Sequence, residues 1–119
     1  TAQDAALEAL ENGAADVELM RKEYEARRNF IVHSFNDMGL PCFKPLGAFY
    51  VFPRISSTGL SSREFSLQLL EKKKVAVVPG TAFGPSGEGF VRCSYATGLD
   101  QIRVAMDRIA EFVAELKQK

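Results

Sequence analysis

Apolar residues recur along this chain with two different periods, and the switches between them divide it into elements. Residues 2–11 are rich in Ala, Leu and Glu, a strong helix composition, and Asn12-Gly13 ends the run. A longer helix is predicted from about Ala15 to Met38. Val17, Met20, Tyr24, Ile31, Phe35 and Met38 fall at helical spacing on one face. Arg27 and Arg28 interrupt that stripe. They are expected along its flank, with stems over apolar surface and heads in water. Gly39 ends the helix and Pro41 blocks its continuation.

The period then shortens. Cys42-Phe43-Lys44 reads as short and extended, and Pro45-Leu46-Gly47 as a turn. Ala48-Phe49-Tyr50-Val51-Phe52 is a strand apolar on both faces, closed by Pro53. Such a strand is covered on both faces, and one cover is expected to come from outside this chain. Ser61-Ser62-Arg63-Glu64 is a capping box, with Ser61 as N-cap and Glu64 three residues on. Leu60 and Phe65 sit where a hydrophobic staple would place them. That helix runs to about Lys73. Lys72, Lys73 and Lys74 lie at its C-terminal end, where the helix dipole favours cations. Val75–Val78 is a short strand ended by Pro79-Gly80, followed by a glycine-rich loop from Gly80 to Gly89. Phe90–Ala96 is the next strand, closed by Thr97-Gly98. The last helix starts near Gly98, with Thr97 and Asp100 forming a weaker capping pattern. Leu99, Ile102, Ala105, Met106, Ile109, Val113 and Leu116 make its apolar stripe. The predicted order is ααββαββα, a small sheet packed on helices. Residues 1–119 read as a single domain without repeat or linker.

Charge and composition narrow the functions open to such a domain. Lys plus Arg and Asp plus Glu both number 15, giving a formal net charge of zero. That argues against a nucleic-acid surface or a polybasic membrane contact. No apolar run approaches the roughly 20 residues of a membrane span. No signal peptide opens the chain, and Thr1 stands where an initiator Met would. A fragment or processed form is therefore expected. Cys42 and Cys93 suit neither a metal site nor a disulfide framework. They read as free thiols in a reducing compartment, hence a cytoplasmic protein.

Arg92 carries the sharpest chemical signal. It stands alone in Phe90-Val91-Arg92-Cys93-Ser94-Tyr95-Ala96, with no acidic residue inside the run. Burying a charge is costly unless it is paired and hydrogen-bonded. Such an arginine suggests a guanidinium fork waiting for an anion. An open sheet edge or a distant carboxylate partner would also explain it. Cys93 alternates with Arg92 and is expected on the opposite, core face with Val91 and Tyr95. His33 lies off the helix stripe without ligand partners and reads as a surface residue. The glycine loop lacks a Walker Gly-Lys-Ser/Thr and leads into a strand. It reads as a structured connection, with Pro79-Gly80 marking a pocket rim. Tyr50 is open between ligand contact and core. No nucleophile elbow, no metal site and no complete catalytic set is present.

Three stretches taken in order resemble one family. They are Gly47-Ala48-Phe49-Tyr50-Val51-Phe52, Val77-Val78-Pro79-Gly80-Thr81-Ala82-Phe83-Gly84 and Phe90–Ala96. Together with the Tyr24-Arg27-Arg28 helix, they are similar to the C-terminal small domain of class I/II, fold-type I aminotransferases. The likeness is to the aspartate and aromatic aminotransferases. The resemblance implies an α+β fold with a small, mostly antiparallel sheet. It implies that Arg92 grips the substrate α-carboxylate. Gly47, Phe49, Tyr50, Pro79, Gly80 and Phe83 would line or approach the cleft. The parent would transfer an amino group from an amino acid to a 2-oxo acid, using pyridoxal 5'-phosphate held mainly by a large domain upstream of Thr1. No lysine here occupies the family's Schiff-base motif, so no catalytic residue is expected in this chain, and the chain alone is expected to be inactive. The parent is expected to be a homodimer and the chain alone to self-associate. The rival is a non-catalytic α+β regulatory module binding an amino acid or carboxylate through Arg92. Ferredoxin-like modules of that kind run βαββαβ, whereas this chain opens with two helices.

Overall fold

A computed structural model describes residues 1–118. Helix α1 spans Ala2–Asn12 and α2 spans Ala14–Asp37, separated only by Gly13. A β-carbon at Gly13 would fall onto the Ala9 carbonyl, so the near-continuous junction depends on glycine. The first half of the predicted α2 stripe is not core: Val17 and Met20 are exposed, and α1 buries no residue. Ile31 and Phe35 are buried, with Tyr24 and Met38 packed at the margin. Arg27 and Arg28 are mostly covered along the flank and pair with Glu23 and Glu25. The helix ends as predicted. Gly39 takes φ 84°, the Leu40 amide donates to the Phe35 carbonyl and the Gly39 amide to Asn36. This is a Schellman ending with Leu40 buried behind it.

Strand β1 is Tyr50–Val51, β2 is Val78–Pro79 and β3 is Val91–Ser94. They form one antiparallel sheet in the order β1-β3-β2. Three strands are found where four were predicted. Cys42–Lys44 is not one, because the Asn36 side chain satisfies both backbone groups of Cys42: it accepts from the amide at 3.0 Å and donates to the carbonyl at 3.1 Å. The segment's remaining tie is the Arg54 amide to the Pro41 carbonyl at 2.8 Å. β1 is shorter than predicted because Ala48 takes φ 58° and Pro53 follows. Its register nevertheless runs on, from the Tyr95 amide to the Phe49 carbonyl through to the Arg54–Phe90 bridge.

Helix α3 covers Ser62–Lys73 and α4 covers Leu99–Lys117. The capping box at Ser61 and Glu64 is present in both directions. At α4 the N-cap is Gly98, without a side-chain bond, so the Thr97–Asp100 pattern forms no cap. The core lies between the inner sheet face, with Val51, Val91, Cys93 and Tyr95, and helices α2, α3 and α4. Phe65 and Phe112 meet edge to face at 5.2 Å at its centre.

Candidate functional site

The outer face of the sheet is built around β3. Alternation sends Val91, Cys93 and Tyr95 inward, all buried, and leaves Arg92 half-buried on the other side. Val78 sits across from Arg92 on one flank. On the other, the register from Tyr50↔Ser94 to Arg54↔Phe90 places Phe52 across from it. The guanidinium carbon lies 4.2 Å from the centre of the Tyr50 ring and 4.6 Å from that of Phe83. Phe83 in turn meets Phe52 edge to face at 5.9 Å. Two ring faces thus hold one guanidinium by cation–π attraction and by shape.

Electrostatics sets Arg92 apart from its neighbours. Arg21, Arg27 and Arg28 each pair with a glutamate. Arg54 donates to Ser56. Among the described residues Arg92 has neither a carboxylate partner nor a hydrogen-bond acceptor. Its N–H fork is held in place and left available to an anion.

Phe83 reaches this face because the glycine loop is tightly built. Residues Gly80–Phe83 and Pro85–Gly87 form two short 3-10 turns. The backbones of Gly80 and Gly87 touch, and a β-carbon on either would strike the other's carbonyl. Buried Ser62 accepts from the Gly89 amide at 2.9 Å. Glu88 accepts from the Ser62 amide at 3.0 Å and the Gly89 amide at 2.8 Å. These bonds hold its carboxyl below the usual glutamate range. The loop is a structured connection that presents Phe83.

The remaining candidates are dispersed. Gly47 and Phe49 line a separate cleft of about 420 Å³ with Tyr24, Glu25 and Arg28. There Phe49 stacks on Tyr24 at 6.0 Å while its other contact, at 4.7 Å, is Tyr50. Pro79 borders an open groove beside α3. Gly80 is buried and serves the loop's own packing. His33 is exposed. Burial pushes the Cys42 thiol up to about 11 and Cys93 to about 12, so neither supplies a thiolate at neutral pH. Phe52 was not among the predicted pocket residues; only the strand register, which sequence alone leaves open, sets it beside Arg92. The described residues contain no cluster able to hold a metal ion and no helix long and apolar enough to cross a membrane.

Comparison with known proteins agrees along nearly the whole chain. Residues 1–109 match the family Aminotransferase class I and II. A putative aminotransferase of Bacillus subtilis, YugH, is 56% identical over 112 residues, which is 94% of this chain and 29% of that protein. Aromatic-amino-acid aminotransferase 2 of Thermococcus litoralis is 56% identical over 101 residues, 85% of this chain and 26% of the relative. The crystal structure of an aromatic aminotransferase from Pyrococcus horikoshii superposes with a TM-score of 0.87 at 51% identity, over 90% of this chain and 28% of that one. The chain therefore spans less than a third of the length of these relatives. Its sequence, its α+β architecture and its solved neighbours place it, as a part of a larger protein, in the class I and II aminotransferases.

Proposed function

We propose that this chain is a C-terminal domain of a pyridoxal-phosphate-dependent aminotransferase, and that Arg92 receives the substrate's α-carboxylate. The carrying observation is the guanidinium of Arg92, fixed between Tyr50 and Phe83 without a carboxylate of its own. A planar fork matches a carboxylate with two parallel bonds, which an ammonium cannot reproduce. The substrates are an amino acid and a 2-oxo acid, both of which carry that carboxylate. Holding it against a fixed fork orients the substrate's Cα for proton removal elsewhere.

The family implies pyridoxal phosphate, which supplies the electron sink for amino transfer. The residues of this chain fit the substrate end of such a site and not the cofactor. A Schiff-base lysine must be neutral to attack. Lys73 lies 2.7 Å from Glu115 and 3.5 Å from Glu111, and the bond to Glu115 raises its pKa. Lys74 spends its ammonium on the Glu71 carbonyl. The cofactor belongs to the rest of the parent, and no step through it is assigned to these residues. The parent is read as a cytoplasmic homodimer, and the exposed rings of Phe49, Phe52 and Phe83 suit self-association of the chain alone.

The test compares the full-length protein with the 119-residue chain. With pyridoxal phosphate, the full protein should move an amino group from an amino acid to a 2-oxo acid. The chain alone should neither do so nor retain stoichiometric cofactor absorbance. An active, cofactor-retaining 119-residue chain would overturn the assignment.

A further inference from the structure

Residues Val75–Val78 have the composition of a full strand, yet only Val78–Pro79 pair with β3. Val75, Ala76 and Val77 make no backbone hydrogen bond among the described residues. β2 is the last strand of the sheet on this side. The Gly80 amide donates to the Phe90 carbonyl at 2.8 Å. In this register Val78 and Gly80 turn their backbone groups toward β3, and Val75 and Val77 turn theirs outward. Pro79, which has no N–H to offer, closes the open stretch at one end. The stretch carries none of the usual protections of a free edge: no charge, no bulge and no covering element.

An apolar groove of about 400 Å³ runs beside that edge. Ala76, Val77 and Pro79 form one wall, and Leu67 and Leu70 of α3 form the other. Leu67 is 54% exposed and Leu70 48%, so two large side chains on a core-forming helix stand in the open. The edge offers unpaired backbone groups, and the groove offers apolar contact at alternate positions. Together they match the two requirements of an added strand.

We infer that Val75–Val77 and the groove beside them receive a β-strand from the part of the full-length chain that lies outside residues 1–119. More than two thirds of the length of the relatives lies outside the region this chain matches, so the occupant is available within the same molecule. The added strand pairs with the outward amides and carbonyls of Val75 and Val77 and sets apolar side chains on Leu67 and Leu70. The sheet then has four strands or more in the full protein. The inference rests on the chain being part of a longer protein and is independent of the role given to Arg92.

Two readouts on the full-length protein test it. Hydrogen exchange should find the Val75 and Val77 amides slowed to the rate of the Val91–Ser94 amides. A benzophenone-maleimide attached to Leu70→Cys, with other exposed cysteines replaced, should cross-link within one chain to a segment outside residues 1–119. Both are expected together, with the product running at monomer mass. Amides exchanging like an open loop would overturn the proposal, whatever the cross-link. A dimer-mass product would assign the edge to a second copy, and an adduct inside residues 1–119 would assign it to this domain; either overturns it.

Discussion

Replacing the rings that flank Arg92 probes the site without touching the charge itself. Phe83 is 52% exposed and its loop is held by backbone and Ser62 bonds, so Phe83→Leu leaves the fold intact. It removes a ring face 4.6 Å from the guanidinium, and Tyr50→Leu removes one at 4.2 Å. Cation–π contacts contribute about 0.5–1 kcal/mol when exposed and about 2 when desolvated. For a half-buried arginine each ring is worth about 1 kcal/mol, or about fivefold in affinity. The double variant should cost about 2 kcal/mol, or roughly thirtyfold. The carboxylate is held equally in the ground and transition states, so the loss should fall on KM with kcat nearly unchanged. Steady-state kinetics of the full-length protein with an amino-acid donor reads both constants. A double-mutant cycle with Arg92→Met makes the test specific, because the ring substitutions should then cost almost nothing further. Equal losses with and without Arg92 would refute the positioning role of the rings.

Three further outcomes follow from the packing and the loop. Phe112 is 1% exposed and pairs with Phe65, so Phe112→Ala should lower the urea-unfolding free energy by about 3–5 kcal/mol; a loss below about 1 kcal/mol would contradict its central place. Glu88 has a folded pKa below its ordinary value of 4.5, so its contribution is present above that pH and is lost as pH falls through the folded value. Melting temperatures of wild type and Glu88→Gln should differ at pH 7 and converge in acid; curves parallel down to pH 3 would contradict this. Gly80→Ala should displace the loop and raise KM much as Phe83→Leu does, and unchanged KM would deny that the Gly80–Gly87 contact places the ring.

The helices were legible because their signals are local. The Ser61 capping box, the Gly39 ending and the α4 stripe each depend on residues within a turn or two. Phe112 escaped that stripe because the buried face of a 19-residue helix is wider than one row of positions. Strands were less legible because their extent depends on partners remote in sequence. Cys42–Lys44 gave its backbone bonds to Asn36, and Val75–Val77 found no partner among the described residues. The exposure of Val17 and Met20 has the same origin: an apolar stripe says that a face is covered and not by what. Arg92 stood out because a lone charge in an apolar strand needs an explanation. Its ring neighbours come from two other segments, and only the register and the loop's backbone bring them together.

The reading of Arg92 as the carboxylate anchor is tested most directly by comparing an amino acid with the amine that lacks its carboxylate. Full-length wild type and Arg92→Ala are assayed for kcat/KM on both. Two charge-assisted bonds are worth about 3–4 kcal/mol, so Arg92→Ala should lose roughly 10²- to 10³-fold on the amino acid. The slow reaction of the amine should change by less than about threefold, since that substrate offers the fork nothing. Equal losses on both substrates, or no loss on the amino acid, would contradict the assignment.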